Sequence, residues 1–325
     1  MKRRNALGAL AALGGGALLA GCAPLLRKEE AQAYLFAYFT GNGADGLHLA
    51  ASSDGYVWEA LRGGASFLAP TVGTKLMRDP SLVRGPDGLY HMVWTSGWND
   101  KGIGYASSPD LVNWSAQREI PVMAHEPAAL NAWAPEIFYD RGRGHYLILW
   151  STTIPGRFPQ TEGQSEEKYN HRIYATTTRD FASFTPSRLY YDPGFSAIDA
   201  TLARAFGKDW LLVKDETRYP PKKHLRVARA SGFDGPFGAL GAPITPSGLW
   251  SEGPSVLQVG DEVIVYYDAY TAGHYGALRT RDMLNWEDVT AKLRFPGAGT
   301  KQRVRHGTAF AAPVELLERI KAAKP

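Results

Sequence analysis

The sequence predicts an all-β fold, a five-bladed β-propeller closed by the two chain ends in one composite blade. Two recurring patterns and the composition carry that prediction. The first pattern opens a strand. Met77-Arg78-Asp79-Pro80-Ser81, Trp133-Ala134-Pro135-Glu136-Ile137, Ile198-Asp199-Ala200-Thr201, Ser251-Glu252-Gly253-Pro254-Ser255 and Arg305-His306-Gly307-Thr308 each set an ionisable side chain beside a small residue and then run into apolar sequence. From Asp79 the steps to Glu136, Asp199, Glu252 and His306 are 57, 63, 53 and 54 residues, a spacing that suits four-stranded blades. The second pattern is out of phase with the first. Strands ending at Asp54, Asp110, Asp180, Asp234 and Asp282 finish in small or hydroxyl residues, turn at the Asp, and meet an aromatic a few residues on: Trp58, Trp114, Phe184, Phe237 and Trp286. With 12% aromatic residues, 35 Gly and 21 Pro, the composition suits a β domain with many turns.

Taken in order, residues 1–21 read as a targeting segment, with Lys2, Arg3 and Arg4 before an apolar run that ends Leu19-Ala20-Gly21-Cys22. That ending resembles the lipobox of bacterial lipoproteins, which implies export and a membrane anchor through a lipidated Cys22. Cys22 is the only cysteine, so no disulfide framework exists. Arg3-Arg4 also faintly resembles a twin-arginine signal, which leaves the export route open. Removing the segment leaves a net charge of +1, a balance that argues against a nucleic-acid partner. Residues 22–33 read as a tether, and the propeller domain is expected to cover 34–325.

The remaining strands complete the blades. Tyr34–Phe39, Leu89–Trp94, His145–Trp150, Trp210–Lys214 and Val263–Tyr267 read as second strands. The N-terminus supplies three strands without an inner one, and Thr308–Ala312 is an inner strand with nothing after it, so the two should share a blade and leave no open edge. Val314–Ala323 reads as a short helical cap.

If the inner strands line the axis, their first residues converge on one face. So do the loops with Trp98, the insertion Ile154–His171 with Arg157, Phe158 and Tyr169, the stretch Lys214-Asp215-Glu216 to His224, and Tyr267–His274. A ring of carboxylates walled by aromatics suits glycoside hydrolysis, which needs one carboxylic acid for the leaving oxygen and one carboxylate for water or attack. A single such carboxylate reads equally well as a turn cap; a set converging on one axis does not, because like charges raise each other's pKa. Glu136 sits two residues beyond the Asp79-equivalent position and is expected to turn into its blade.

The ordered set Arg78-Asp79-Pro80-Ser81, Trp133-Ala134-Pro135-Glu136, Ala197-Ile198-Asp199, Ser251-Glu252-Gly253-Pro254 and His306-Gly307-Thr308 resembles glycoside hydrolase family 43, over about residues 34–313. The resemblance implies an inverting glycosidase with Asp79 as general base, Asp199 as pKa modulator keeping Glu252 protonated, and Glu252 as general acid. It implies α-L-arabinofuranosidase or β-D-xylosidase action on oligosaccharide or polysaccharide side chains, with exo-galactanase or endo-arabinanase as alternatives in the same fold. It implies no required cofactor, and a structural calcium held through water at His306. Trp98, Trp133, Phe158, Trp250, Asp215 and His306 are the expected substrate contacts. Invertase-like propellers share Arg-Asp-Pro but place their acid in a Glu-Cys motif that is missing here. Phosphorolytic relatives need a cationic phosphate site, for which Arg157, Arg218 and Lys222 are the candidates. A glycan-binding propeller without turnover is the reading from another class, and it has no use for an acid and base pair. The protein is expected to be a monomer whose only membrane contact is Cys22.

Overall fold

The computed structural model describes residues 32–166 and 168–323 of the 325-residue chain. The targeting segment, Cys22 and nearly all of the tether lie outside the described residues. The described residues open with three strands, β1 (Gln32–Tyr38), β2 (His48–Ser52) and β3 (Glu59–Ala60), so the first of them includes the last two tether residues. Blade I is β4 (Arg78–Arg84), β5 (Tyr90–Thr95), β6 (Ile103–Ser108) and β7 (Arg118–Ile120). Blade II is β8 (Trp133–Asp140), β9 (His145–Thr152), β10 (Arg172–Thr178) and β11 (Arg188–Tyr191). Blade III is β12 (Ala197–Ala205), β13 (Lys208–Asp215) and β14 (His224–Ala230). Blade IV is β15 (Glu252–Val259), β16 (Glu262–Ala269), β17 (His274–Thr280) and β18 (Glu287–Asp288). The last strand, β19 (Thr308–Pro313), pairs antiparallel with β1 from Gln32↔Pro313 to Ala37↔Thr308, which makes the composite blade V in the order β19-β1-β2-β3. Helix α1 (Val314–Ala322) lays Leu316, Leu317 and Ile320 on the core between blades V and I.

Period-2 alternation closes the ring. Side chains on a strand point to opposite faces in turn, and adjacent residues of each second strand accordingly enter different inter-blade cores. Leu35 and Met92 share the core between blades V and I, Val93 and Ile148 that between I and II, and Leu149 and Leu211 that between II and III. Leu212 and Val265 fill the gap between III and IV, and Tyr266 returns to Phe36 between IV and V. Each such fully buried apolar side chain contributes about 1.5–3 kcal/mol, so the five cores hold the ring from within.

The Asp turns have a common chemistry. The hydroxyls of Ser52, Ser108, Thr178 and Thr280 accept the amide N–H three residues on, from Gly55, Leu111, Phe181 and Met283 at 2.8–2.9 Å. Those four residues are left-handed, with φ of 77, 62, 56 and 62°, while Asp54, Asp110, Asp180 and Asp282 each accept two further amides. The fifth expected turn does not form. Asp234 instead pairs with Arg188 at 2.6 Å, and blade III keeps only an isolated bridge, Ala230↔Phe237, where its outer strand was expected.

Candidate active site

The inner strands of blades I to IV each open with a bulge. Pairing breaks between Arg78 and Ser81, Trp133 and Glu136, Ile198 and Thr201, and Glu252 and Ser255. The residue after each first one is left-handed: Asp79 (φ 52°), Ala134 (46°), Asp199 (56°) and Gly253 (59°). For a non-glycine residue such a φ costs on the order of 1 kcal/mol or more, and a bulge uses it to re-aim side chains at a strand end. Asp79 and Asp199 therefore share one geometric position, Glu252 lies one residue before it and Glu136 two residues after it. The carboxylates reach the axis from three different steps of one motif.

The cross-strand neighbours supply the supports. Opposite Arg78, Trp133, Ile198 and Glu252 stand Thr95, Ser151, Lys214 and Asp268, and each reaches the next blade. Thr95 Oγ1 accepts the Ala134 amide at 2.8 Å and Ser151 Oγ the Asp199 amide at 3.3 Å. Lys214 Nζ lies 3.1 Å from Glu252 Oε2, and Asp268 Oδ2 lies 2.5 Å from Arg305 Nε.

His306 sits buried at the axis. Its Nδ1 is 3.3 Å from Asp79 Oδ1 and its Nε2 3.9 Å from Glu136 Oε1. Burial opposes its charge, but Asp79, Glu136 and Asp199 outweigh burial and raise its pKa well above the ordinary value. Burial pushes Asp79 up, yet His306, Arg78 and the Thr95 hydroxyl (2.8 Å) bring its pKa down to about 2. Burial raises Asp199 to about 6, with Glu252 and Asp79 adding to the rise and His306 and Lys214 opposing it. Asp199 Oδ2 accepts the Gly253 amide at 2.9 Å, which ties it to the residue after Glu252.

Glu252 departs from expectation. The Asp199 charge was to keep it protonated, but Lys214 at 3.1 Å and Arg305 at 3.2 Å flank it. Burial pushes its pKa up, and these two cations overcome that and lower it. Glu252 is the centre of a row of alternating charges: Arg303, Asp268, Arg305, Glu252, Lys214, Glu216, Lys223 and Glu166, with successive contacts of 2.5–3.2 Å. The far end, Glu166, belongs to the 154–171 insertion, so that loop is tied to Glu252 through ion pairs.

The other expected site residues sort by location. Trp98 is 43% exposed; it carries the Arg78 guanidinium 4.3 Å from its ring, and its carbonyl accepts the Trp133 indole N–H at 2.9 Å. Trp133 continues the wall to Tyr169 and His171, at ring distances of 4.8 and 5.2 Å. Trp250 is half-buried beside Tyr270 and has Arg218 and Lys223 within 4.8 and 5.5 Å of its ring. Three expected contacts take supporting places. Phe158 lies against the buried Arg172 guanidinium at 4.2 Å. Asp215 is buried and accepts the Thr217 amide at 3.1 Å. His306 lies beneath the carboxylates, where a Cβ on Gly253 would stand 2.4 Å from its ring. Glu136 does not turn into its own blade. It accepts the Ser81 hydroxyl of blade I at 2.8 Å and faces His306.

The residues around His306 do not fit a bound cation. Both ring nitrogens face carboxylates and the raised pKa makes both donors, so the imidazolium itself supplies positive charge at the axis. Among the described residues there is no group of three or more His, Cys, Asp or Glu side chains that could hold a metal ion. Sequence reasoning put Lys214 and Glu216 in a loop on this face and Arg305 in a strand-opening motif but did not pair any of them with Glu252, and Lys223 it did not single out. A signal for Lys214 existed, since a lysine closing the apolar run Trp210–Val213 has to find a buried anion.

A five-bladed ring with an imidazolium and the carboxylates of Asp79, Glu136, Asp199 and Glu252 gathered at one end of its axis defines a propeller suited to acid and base chemistry. The chain belongs to the glycosyl hydrolase family related to family 43, whose model, described as "Probable glycosyl hydrolase domain", matches residues 29–314. It is similar to an α-L-arabinofuranosidase of Bifidobacterium longum, 24% identical over 197 residues, which are 54% of this chain and 18% of that protein. The chain thus spans about a fifth of the length of that curated relative. Among solved structures, an α-L-arabinofuranosidase from Lactobacillus brevis superposes with a TM-score of 0.52 at 21% identity, over 66% of this chain and 72% of the other. A thermostable family-43 glycoside hydrolase gives 0.51 at 16% identity, over 65% and 71%. At these identities the structures share the fold.

Proposed function

We propose that the protein is an inverting, exo-acting glycoside hydrolase that removes side-chain sugars from oligosaccharides or polysaccharides, as an α-L-arabinofuranosidase or a β-D-xylosidase. The observation that carries the reading is the unequal proton affinity of carboxylates gathered around one imidazolium. Asp79, with its pKa lowered to about 2, stays ionised and suits the general base that takes a proton from water. Asp199, raised to about 6, and Glu252 are close enough to titrate as a pair. Glu252 delivers the proton to the leaving oxygen, and Asp199 biases that pair toward holding one. Lys214 and Arg305 oppose this in the free protein, so the acid has to gain its proton as substrate enters and excludes water.

The arabinofuranosidase relative supports the first substrate choice, and the 154–171 insertion, held at Glu166 by Lys223, supports a closed pocket and action at chain ends. Export and anchoring through Cys22, a monomeric state and the lack of any required cofactor belong to the same proposal. The test is a screen of aryl α-L-arabinofuranosides, β-D-xylosides and β-D-galactosides, with proton NMR of the first sugar released. Inverted configuration on one of the first two is the expected result. Retention, or no cleavage of any of them, would refute the reading.

A further inference from the structure

Of the three cations that the sequence offered as an anion site, the structure singles out one. Arg157 is used by Glu126, at 2.6 Å, and Lys222 is an exposed lysine on the surface. Arg218 is half-buried; among the described residues no carboxylate stands within 4 Å of it, and Glu166, already paired with Lys223 at 3.0 Å, feels its charge only at longer range. The Arg218 Nε is shut off from solvent without a hydrogen-bond partner among the described residues. The guanidinium instead lies 4.8 Å from the Trp250 ring centre and 5.1 Å from that of Tyr219. The neighbouring cations Lys214, Lys223, Arg303 and Arg305 each hold at least one carboxylate.

The position is next to the chemistry. Trp250 stands two residues before Glu252 and packs on Tyr270 at 6.1 Å, and Tyr270 in turn lies 4.7 Å from Lys214 Nζ. The Arg218 amide donates to the Gln164 carbonyl of the insertion at 2.7 Å, which places the side chain between that loop and the Trp250 wall. A guanidinium laid on an aromatic face is fixed in orientation, and its free edge is a planar fork that matches a carboxylate through two parallel hydrogen bonds. A neutral sugar leaves that edge unused.

We propose that Arg218, seated on Trp250, is a subsite for the carboxylate of an acidic sugar, so that the preferred substrate carries a uronic acid next to the bond that is cleaved. The inference rests on the glycosidase reading of this pocket, with the Glu252 side taking the leaving group. The test compares three matched oligosaccharides: a neutral one, one with a free uronate on the neighbouring unit, and the methyl ester of that uronate. The wild type should favour the free acid over its ester by about 10-fold in kcat/KM, mainly through KM, and the preference should shrink as salt rises. Arg218→Met should bring the acid-to-ester ratio to about one, and Arg218→Lys should keep part of it, with thermal melting to check that both variants fold. Equal rates of the wild type on acid and ester, with neutral glycosides cleaved, would overturn the subsite and leave the glycosidase reading intact. Should no glycoside be cleaved, calorimetric titration with the acid and the ester reads the subsite without turnover, and equal affinities there would overturn it too.

Discussion

Lys214 Nζ and Glu252 Oε2 are 3.1 Å apart across the gap between blades III and IV, where blades I and II place only the hydroxyls of Thr95 and Ser151. The contact puts a full charge beside the carboxylate proposed as the acid. Its ionisation is therefore set by opposed influences: burial raises its pKa, Lys214 and Arg305 lower it, and the mutual repulsion with Asp199, which raises Asp199, works against the two cations.

Opposed neighbours give opposed shifts. The acid must hold its proton, so activity falls as pH rises through the Glu252 pKa. Lys214→Met removes the cation, and the basic limb of the kcat/KM profile should move to higher pH. Asp199→Asn removes the anion, and the same limb should move to lower pH. Breaking the Lys214 pair leaves Glu252 and Glu216 short of a cation and should destabilise by about 3–5 kcal/mol, read by urea unfolding. A shift of the basic limb in the same direction in both variants would refute this account.

Asp199 also links stability to pH. Burial raises its folded pKa from 3.8 to about 6, so between those values the folded state holds a proton that the unfolded chain has lost. Stability from this group therefore falls as pH rises through that window, and the loss is complete above about pH 6. Asp199→Asn keeps an acceptor for the Gly253 amide and removes the buried charge. The variant should gain up to about 3 kcal/mol over the wild type at pH 8 and nothing at pH 4; a gain that is the same at both would show that ionisation is not its source.

Most of the ring was legible because propeller strands repeat. Asp79 and Asp199 recur at one position of a spaced motif, and the hydroxyl-then-Asp turns carry local hydrogen bonds that a sequence can display. Asp234 failed because Gly232 stands where the other four turns carry their hydroxyl, Pro236 has no amide to donate, and a nearby arginine, Arg188, takes the carboxylate. The charge row was not legible, since Lys214, Glu216, Lys223 and Glu166 meet only after blade III and the insertion fold together. The Arg218 and Lys223 cations on the Trp250 ring were not legible for the same reason: they arrive from another loop.

Gly253 tests how tightly His306 is held. Its φ is 59°, and an added Cβ would stand 2.4 Å from His306 Cγ. Gly248 is also left-handed at 76° but would meet nothing within 4 Å. Gly248→Ala should cost about 1 kcal/mol for backbone strain alone, whereas Gly253→Ala should cost about 2 kcal/mol or more and depress activity by moving the imidazolium. Equal losses in urea unfolding would mean that the His306 contact yields freely.

Closure is testable by truncation. β19 supplies the inner strand of blade V, Thr308 Oγ1 donates to the Pro80 carbonyl of blade I at 2.9 Å, and Ser255 Oγ of blade IV accepts the Ala309 amide at 2.8 Å. Deleting residues 305–325 removes these links with His306 and opens a sheet edge. Cooperative thermal unfolding should be lost, and an unchanged melting curve would contradict the composite blade.

Asp79 and Glu252 should fail differently on leaving groups of different basicity. A general acid matters in proportion to how poor the leaving group is, because only a basic alkoxide must be protonated as the bond breaks. Glu252→Ala should lose roughly 10²–10⁴-fold on natural glycans, the usual worth of such a group, and keep most of its rate on dinitrophenyl glycosides. Asp79, held ionised by His306 and Thr95, is the proposed base for the water. No leaving group replaces an activated water, so Asp79→Ala should be inactive on both kinds of substrate. Azide tests the assignment further, since a small anionic nucleophile needs no base. It should restore turnover of the dinitrophenyl glycoside to Asp79→Ala by reaching the carbon from the face that the water used. Rescue of Glu252→Ala but not of Asp79→Ala, or equal losses for the two on the activated substrate, would reverse the roles assigned to them.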